Sequence, residues 1–328
     1  MNKGIIFSGM RPTGKLHIGH LSVLENWVKL QTEYECYYAA VDWHALTTSF
    51  EETAQIKDNV WNMLLDWLAV GLSPEKSSIF VQSHIKEHAE LHLLLSMITP
   101  LSWLERVPTY KDQVHQLGLQ GKDISTYGFL GYPLLMAADI LVYRANTVPV
   151  GEDQLPHLEL CREIARRFNH LYKTNIFPEP KALLAKIAWL PGIDGRKMSK
   201  SYHNEIAIDA SKEEIMSKVR LMVTDPQRIH KTDSGNPDVC IVYTYQKLYN
   251  PDEIEELRTD CKRGSIGCVA CKKQLATKIN DVLKPIREKR AYFAGKPEKV
   301  NEILKIGQEK ARNKASETLE IVREVIGI

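Results

Sequence analysis

The chain lacks the long apolar segments that mark membrane and secreted proteins. Its first 30 residues contain only one short apolar run, at 5–7, which is too short for the core of a secretory signal. Longer apolar segments are interrupted by charges, as Asp66 interrupts 61–70, and none reaches the ~20 residues that a membrane-spanning helix needs. We therefore expect a cytoplasmic protein that does not associate with membranes.

The chain also lacks internal repeats, low-complexity tracts and a strong overall charge. It has 328 residues, is 44% hydrophobic and carries a net charge of +2, values typical of a folded protein of about two domains. The charge is uneven, because residues 261–290 carry nine Lys and Arg against two acidic residues, a local net charge of +7. Such a segment suits a polyanionic partner such as nucleic acid, although a solvated helix face would have the same composition.

Apolar periodicity in the first part of the chain alternates between strand and helix patterns. Strands are predicted at 5–7, 36–41 and 78–82, and helices at 21–30 and 51–72. This order predicts an α/β fold with a Rossmann-like parallel sheet, whose ligands bind beyond the carboxyl ends of the strands. The site is therefore expected near residues 8–13 and 42–48.

The second part of the chain has a different pattern, with charged and mostly helical segments. Helices are predicted at 211–222, 251–258, 269–282 and 298–325, and a short strand is predicted at 205–208. We expect a Rossmann-like catalytic domain over residues 1–205 and a mainly helical domain over 206–328. The last helix is a candidate to pack back on the first domain.

Two short motifs are misleading. The run from Gly9 to Lys15 resembles a P-loop, but Leu16 stands where a magnesium-binding hydroxyl is needed and Pro12 lacks a backbone donor. The segment from His84 to His88 has the H-x-x-E-H order of some zinc peptidases. A zinc site needs a third protein ligand, so we interpret this segment as a solvated loop and helix start.

Two distant motifs fit a single chemistry. His17-Ile18-Gly19-His20 follows the first strand, and Lys197-Met198-Ser199-Lys200-Ser201 follows a Gly-containing loop about 180 residues later. A helix N-terminus favours phosphate, Gly19 permits close approach, and the two histidines can donate hydrogen bonds to phosphate oxygens. Lys197 and Lys200 can neutralise charge on a polyphosphate leaving group. The two motifs together predict nucleotide-dependent transfer chemistry.

These HIGH and KMSKS sequences resemble the signatures of class I aminoacyl-tRNA synthetases. Residues 131–141 and 148–154 extend the resemblance to the tryptophanyl-tRNA synthetase family over essentially the whole chain. The resemblance implies that L-tryptophan is activated with ATP and Mg²⁺ to tryptophanyl-adenylate and pyrophosphate, and then transferred to tRNA(Trp) by a homodimer. It also implies that residues 1–205 bind ATP and tryptophan and that 206–328 bind the tRNA anticodon. The alternatives are a tyrosine-specific synthetase, an adenylyltransferase of the same class, and a synthetase-like nucleotide- or RNA-binding regulator.

The same resemblance implies the site residues. Tyr132, Met136 and Asp139 would lie on one helix face, where Asp139 can accept the indole N–H. The catalytic residues would be His17, His20, Lys197 and Lys200. The tryptophan site would comprise Phe7, Ser8, Gly9, Arg11, His44, Tyr132, Met136, Asp139, Val148, Val150 and Gln154. The ATP site would comprise Arg11, Pro12, Thr13, Gly19, His20, Gly151, Glu152, Asp153, Ile187, Lys197, Met198, Ser199, Lys200 and Ser201.

Six cysteines without a secretory signal indicate thiols or metal ligands. Cys36 and Cys161 are isolated and are expected to be buried as small apolar residues. Four others form one group in the basic region: Cys240, Cys261, Cys268 and Cys271. By ligand count these four could hold a zinc ion or a 4Fe-4S cluster, or remain unligated thiols. They resemble the iron-sulfur motif of a bacterial subset of the family, which implies a 4Fe-4S cluster with a structural role and leaves zinc as the alternative.

Overall fold

A five-stranded parallel sheet lies at the centre of the computed structural model, which describes residues 3–118, 123–184, 190–199 and 202–328, with backbone only at 109, 113 and 115–117. Its strands are β1 (Ile5–Met10), β2 (Glu35–Ala40), β3 (Ser77–Val81), β4 (Thr147–Val150) and β5 (Lys181–Leu184). They lie in the order β3-β2-β1-β4-β5, and all paired neighbours run parallel. The predicted α/β Rossmann-like fold is confirmed, and the strand order reverses between β1 and β4, where such sheets open a ligand crevice.

The helices surround this sheet and then form the second half of the chain. In chain order they are α1 (Leu21–Leu30), α2 (Asp42–Ser49), α3 (Ile56–Val70), α4 (Glu87–Ser96), α5 (Leu101–Glu105), α6 (Pro108–Gly118), α7 (Tyr127–Leu130), α8 (Tyr132–Leu141), α9 (Leu155–Leu171), α10 (Lys212–Leu221), α11 (Ile241–Tyr249), α12 (Ile254–Arg263), α13 (Cys268–Ala294) and α14 (Pro297–Ile326). Within the described ranges, no helix is both long and apolar enough to cross a membrane.

The sheet is buried on both faces, because successive strand side chains point in opposite directions. One face carries Ile6, Tyr38 and Ile79, which pack in a core with the helical side chains of Trp27 and Trp67. The other face carries their chain neighbours Phe7, Tyr37 and Phe80, which pack in a second core with α8 and α9. The functional crevice is therefore set in a rigid, two-sided core.

Two predicted elements differ from the structure. The helix predicted over 51–72 is wrong at its start, because α2 occupies 42–49 and turn hydrogen bonds such as Glu52 N–H to Ser49 O separate it from α3. The strand predicted at 205–208 is also wrong, because only an isolated bridge joins Ala207 to His17. Its neighbour enters a 3-10 turn at Ile18, so the ladder cannot continue.

Each helix predicted in the second half is present, but α12 is shifted to Ile254–Arg263, α13 continues to Ala294, and α11 was not predicted. Local signals define the ends of several of these helices. α10 begins with a capping box, in which the Ser211 hydroxyl accepts from Glu214 N at 3.1 Å and the Glu214 carboxylate accepts from Ser211 N at 2.7 Å. α12 ends at Gly264, whose φ of +73° suits glycine. The last helix, α14, returns to the sheet and places Gly307 directly against the backbone of Ile79 in β3.

Candidate active site

A cavity of about 330 Å³ opens at the carboxyl ends of β1 and β4. This volume is at the small end of the range for enclosed ligand sites. Its wall contains all the residues predicted for the tryptophan site: Phe7, Ser8, Gly9, Arg11, His44, Tyr132, Met136, Asp139, Val148, Val150 and Gln154. The one-face arrangement predicted for Tyr132, Met136 and Asp139 is therefore present on α8.

Asp139 is the buried polar group in this wall. Its carboxylate accepts hydrogen bonds from His44 Nε2 at 2.9 Å, His88 Nδ1 at 2.6 Å and Gln82 Nε2 at 2.8 Å. Burial by itself would raise the pKa of Asp139, but the charge of His88 and the hydrogen bonds from His44 and His88 lower the pKa to about 2. The cavity therefore presents an ionised carboxylate at neutral pH, which accepts hydrogen bonds and cannot donate them.

Sequence reasoning missed two of these partners, Gln82 and His88. The segment from His84 to His88 was expected to be solvated, and that expectation is wrong for His88, which is fully buried. A 3-10 turn at Gln82–His84 and the start of α4 turn His88 inward, toward Asp139 and the Tyr143 hydroxyl. The second histidine of the H-x-x-E-H pattern is a hydrogen-bond partner of the Asp139 carboxylate.

Two further polar side chains line the cavity. The Tyr132 hydroxyl lies 2.7 Å from Nε2 of His157, and burial lowers the pKa of that imidazole. Arg11 contacts the Thr48 hydroxyl, and its Nε atom is buried with no hydrogen-bond partner among the described residues. Burial also lowers the pKa of Arg11. A buried guanidinium with an unused donor at a cavity wall suits an anionic ligand group.

The HIGH sequence forms a 3-10 turn that leads into α1. The turn spans Ile18–His20, His17 precedes it, and the rings of His17 and His20 lie 3.9 Å apart. A Cβ atom at Gly19 would lie 3.0 Å from the His17 ring and 3.6 Å from Met198 Sδ. The two predicted motifs, about 180 residues apart in sequence, therefore come together in the fold.

One buried amide organises the loop that carries Lys197. Asn204 donates from Nδ2 to Asp194 Oδ1 at 2.8 Å and to the Lys197 carbonyl at 3.1 Å, and its Oδ1 accepts from Ser199 N at 2.8 Å. Gly192 packs against the same side chain with no space for a Cβ atom. Lys197 is exposed and Met198 is buried, so the loop is anchored while its lysine faces solvent.

The remaining residues predicted for ATP are more dispersed. Gly151 lines the main cavity, and Glu152 and Asp153 follow it in an exposed 3-10 turn. Pro12 and Thr13 border a separate cavity of about 380 Å³ beside the start of α3. Ile187, Lys200 and Ser201 lie outside the described residues. Arg11 lines the main cavity whereas its chain neighbours Pro12 and Thr13 line the other one, a division that the sequence does not predict.

Three helix ends bring the four grouped cysteines into one region. Cys240 precedes α11, Cys261 lies in the last turn of α12, and Cys268 and Cys271 lie in the first turn of α13. Burial raises the pKa of Cys240, Cys261 and Cys271, and charge on the neighbouring thiols acts in the same direction. All four are free thiols.

Polar contacts surround these thiols. Gln246 Nε2 lies 3.6 Å from Cys271 Sγ, and Arg228 Nη1 lies 3.9 Å from Cys261 Sγ. In the part of the chain that the structure describes, no group of three or more His, Cys, Asp or Glu side chains is arranged to hold a metal ion. The other two cysteines, Cys36 and Cys161, are buried as predicted.

Comparison with known proteins matches this architecture. The family model described as "tRNA synthetases class I (W and Y)" matches residues 2–284. The tryptophan–tRNA ligase of Thermotoga maritima is 51% identical over 98% of this chain and 99% of its own length, and that of Aquifex aeolicus is 43% identical over 98% and 99%. The crystal structure of tryptophanyl-tRNA synthetase from Campylobacter jejuni with ADP and tryptophan matches with a TM-score of 0.89 and 34% identity, over 99% of this chain and 100% of that chain. This chain belongs to the tryptophanyl-tRNA synthetase family of class I tRNA synthetases.

Proposed function

We infer that this chain is an ATP-dependent tryptophan–tRNA ligase. The observation that carries the inference is an ionised carboxylate, Asp139, at the wall of a small apolar cavity in a chain whose relatives are tryptophan–tRNA ligases over nearly their full length. The tyrosine-specific alternative is less well supported, since the tyrosyl-tRNA synthetase of Archaeoglobus fulgidus is only 22% identical and shares the fold alone. A regulator without catalysis has no need of the lysine loop.

The cavity suits the tryptophan side chain. We propose that the indole ring packs between the apolar side chains of Phe7, Met136 and Val150, and that its N–H donates to Asp139. The other proposed contacts in the wall are Ser8, Gly9, Arg11, His44, Tyr132, Val148 and Gln154. Because a site that pairs a buried acceptor with a ligand N–H rejects rings that lack it, this carboxylate provides selectivity.

The two signature motifs suit ATP. In the proposed first step, a tryptophan carboxylate oxygen attacks the α-phosphorus, the bond to the bridging oxygen breaks, and pyrophosphate leaves. His17 and His20 position the phosphates at the start of the 3-10 turn, and Lys197 and Lys200 neutralise the charge on pyrophosphate. Mg²⁺ bound to ATP neutralises further phosphate charge. In the second step, a terminal ribose hydroxyl of tRNA(Trp) attacks the adenylate carbonyl and releases AMP.

The second half of the chain suits tRNA. We propose that residues 206–328 form the anticodon-binding domain, that the basic segment 261–290 contacts phosphates, and that the protein acts as a cytoplasmic homodimer. Residues 261–290 fall on the end of α12 and most of α13. Arg287 and Arg290 bond to the Ala210 carbonyl and to Asp66, and the exposed basic residues are Lys262, Arg263, Lys273, Lys284 and Lys289. Residues 1–205 would form the catalytic domain.

We propose that the four grouped cysteines hold a metal centre, as the family resemblance implies. Each lies at or beside a helix end, and metal binding would have to offset the burial that raises the pKa of Cys240, Cys261 and Cys271. A 4Fe-4S cluster held by Cys240, Cys261, Cys268 and Cys271 would cross-link α11, α12 and α13, and zinc is the alternative. Anaerobic protein with absorbance near 400 nm would support the cluster, and colourless, zinc-loaded protein would refute it.

The activity is tested by amino-acid-dependent ATP–pyrophosphate exchange with each of the twenty amino acids. Exchange that depends on tryptophan is expected, and it should fall by at least about a hundredfold in Lys197→Ala because the leaving-group charge loses a partner. Lys212→Ala removes another exposed lysine fifteen positions later and is the matched control. Exchange that depends on tyrosine, or no exchange from folded protein, would refute the proposal.

A further inference from the structure

Each oxygen of the Asp139 carboxylate accepts from two donors, and the two oxygens differ in whether one of those donors lines the cavity. Its Oδ1 accepts from His88 Nδ1 at 2.6 Å and from Gln82 Nε2 at 2.8 Å, and neither donor lines the cavity. Its Oδ2 accepts from Gln82 Nε2 at 2.9 Å and from His44 Nε2 at 2.9 Å. Since His44 does line the cavity, Oδ2 is the oxygen on the ligand side.

The hydrogen-bond direction at His88 follows from its two partners. Asp139 is ionised and only accepts, so Nδ1 of His88 carries the proton. Its Nε2 lies 2.7 Å from the Tyr143 hydroxyl and shares a hydrogen bond with it. A chain of hydrogen bonds therefore joins Tyr143 through His88 to Oδ1 of Asp139.

Tyr143 itself has little freedom to move. Its ring is fully buried and is stacked on Tyr37 at 4.4 Å and on Phe7 at 5.5 Å between centroids. Phe7 is also part of the cavity wall, so the stack ties the relay to the surface that contacts the ligand. Because the Tyr143 hydroxyl cannot move, it holds the His88 ring in place. The His88 ring in turn restrains the rotation of the Asp139 carboxylate.

We propose that His88 and Tyr143 are specificity-determining positioning residues, which occupy Oδ1 of Asp139 from behind and so direct Oδ2 at the indole N–H of tryptophan. This inference rests on the proposed function. Neither residue touches the ligand. Their role predicts a particular defect, because without His88 only Gln82 donates to Oδ1, and a less firmly held carboxylate should lower the preference of the site for a ring that carries an N–H.

A simple packing role for these buried rings makes a different prediction. If His88 and Tyr143 only fill space, their loss should lower the use of every aromatic substrate to the same extent. The two roles are therefore separated by a ratio: kcat/KM for L-tryptophan divided by kcat/KM for 3-(benzothiophen-3-yl)-L-alanine, in which sulfur replaces the N–H with little change of shape. We call this quantity the N–H ratio.

The experiment measures the N–H ratio by ATP–pyrophosphate exchange in the full chain. The wild-type ratio should be about tenfold to a hundredfold, the range for a hydrogen bond to a charged group. In His88→Leu the ratio should fall about tenfold with KM for ATP unchanged, and His88→Asn, which keeps a donor, should restore part of it. Tyr143→Phe keeps the stacked ring, removes only the hydroxyl, and should lower the ratio severalfold.

His84→Asn is the matched control, because it changes the other, exposed histidine of the same five-residue segment. Its N–H ratio should equal that of the wild type. A ratio that stays at the wild-type value in both His88→Leu and Tyr143→Phe would refute the positioning role, and if His88→Leu does not fold, Tyr143→Phe alone decides. Wild-type exchange that does not depend on tryptophan would refute the proposed function as well.

Discussion

Replacing Gly307 with alanine is expected to destabilise the protein, although alanine is the better helix former. Gly307 lies within α14, where the helix crosses β3. A Cβ atom there would lie 2.8 Å from the amide nitrogen of Ile79 and closer still to its carbonyl oxygen. The obstacle is strand backbone, which cannot rotate away as a side chain can, so α14 itself must move outward.

The magnitude follows from two opposing terms. Exchanging glycine for alanine inside a helix gains about 1 kcal/mol from propensity alone. Forcing an extra methyl group into a close-packed contact costs about 3 kcal/mol when no side chain can yield, and the shift also loosens the fully buried Ala311, Ala315 and Leu319. The net loss in the free energy of unfolding should be about 2 kcal/mol, which corresponds to a fall in Tm of roughly 3 °C for a chain of 328 residues.

Thermal and urea unfolding, followed by circular dichroism, test this value. Gly295→Ala is the matched control, because Gly295 has an ordinary helical φ of −78° and its nearest contact for a Cβ atom is at 3.4 Å. The control should be within about 0.5 kcal/mol of the wild type. A Gly307→Ala protein as stable as the wild type, or more stable, would show that α14 does not pack on β3 this closely.

Three further predictions concern single polar side chains. Asp139→Ala should lower kcat/KM for tryptophan in the exchange assay by at least about a hundredfold, and a near-normal value would remove this carboxylate from indole recognition. Burial raises the pKa of Asp66 to about 6 despite its hydrogen bond from Arg290. The protonated form of Asp66 therefore stabilises the folded protein fully below about pH 4, and this stabilisation, about 3 kcal/mol, is lost as the pH rises through 6. Urea unfolding between pH 4 and 7 should therefore show a shallower pH dependence in Asp66→Asn, and an unchanged slope would contradict the assignment. Asn204→Ala should slow adenylate formation at least tenfold, because Lys197 is misplaced. Transfer from preformed adenylate, measured in a single-turnover assay, should change less than twofold. Equal losses in both steps would point to general damage to the protein.

Local patterns were sufficient for much of the fold. Helix α1 has the predicted ends because its buried positions, including Leu21, Leu24 and Trp27, keep the spacing of one helix face. The helix predicted from 51 failed because acidic residues at 51 and 52 resemble a first turn, whereas the chain makes a separate short helix before them. The short helix α2 lies beside the crevice, and local sequence patterns do not predict packing there.

Part of the site was likewise predictable from the sequence, and part was not. The tryptophan-site residues that line the cavity were accessible from motifs and from a family resemblance, since most of them lie in two short sequence runs and on one helix face. The wall residues of α1, Val23, Asn26 and Trp27, were not. The partners of Asp139 were not, because His88 is 51 positions away and its neighbours in sequence are polar. Only the folded chain reveals that this polar stretch turns a histidine inward toward a buried charge.

Helix α13 connects the region of the four grouped cysteines with the segment that bonds to the HIGH turn. Its 27 residues span about 40 Å, with Cys268 in the first turn, and near its other end Arg287 donates to the Ala210 carbonyl at 3.0 Å. Ala210 follows directly on the segment whose backbone bonds to Ile18 of the HIGH turn. One continuous helix, interrupted only by the lost backbone donor of Pro285, therefore links the position of the cysteine-bearing end to the segment beside the HIGH turn.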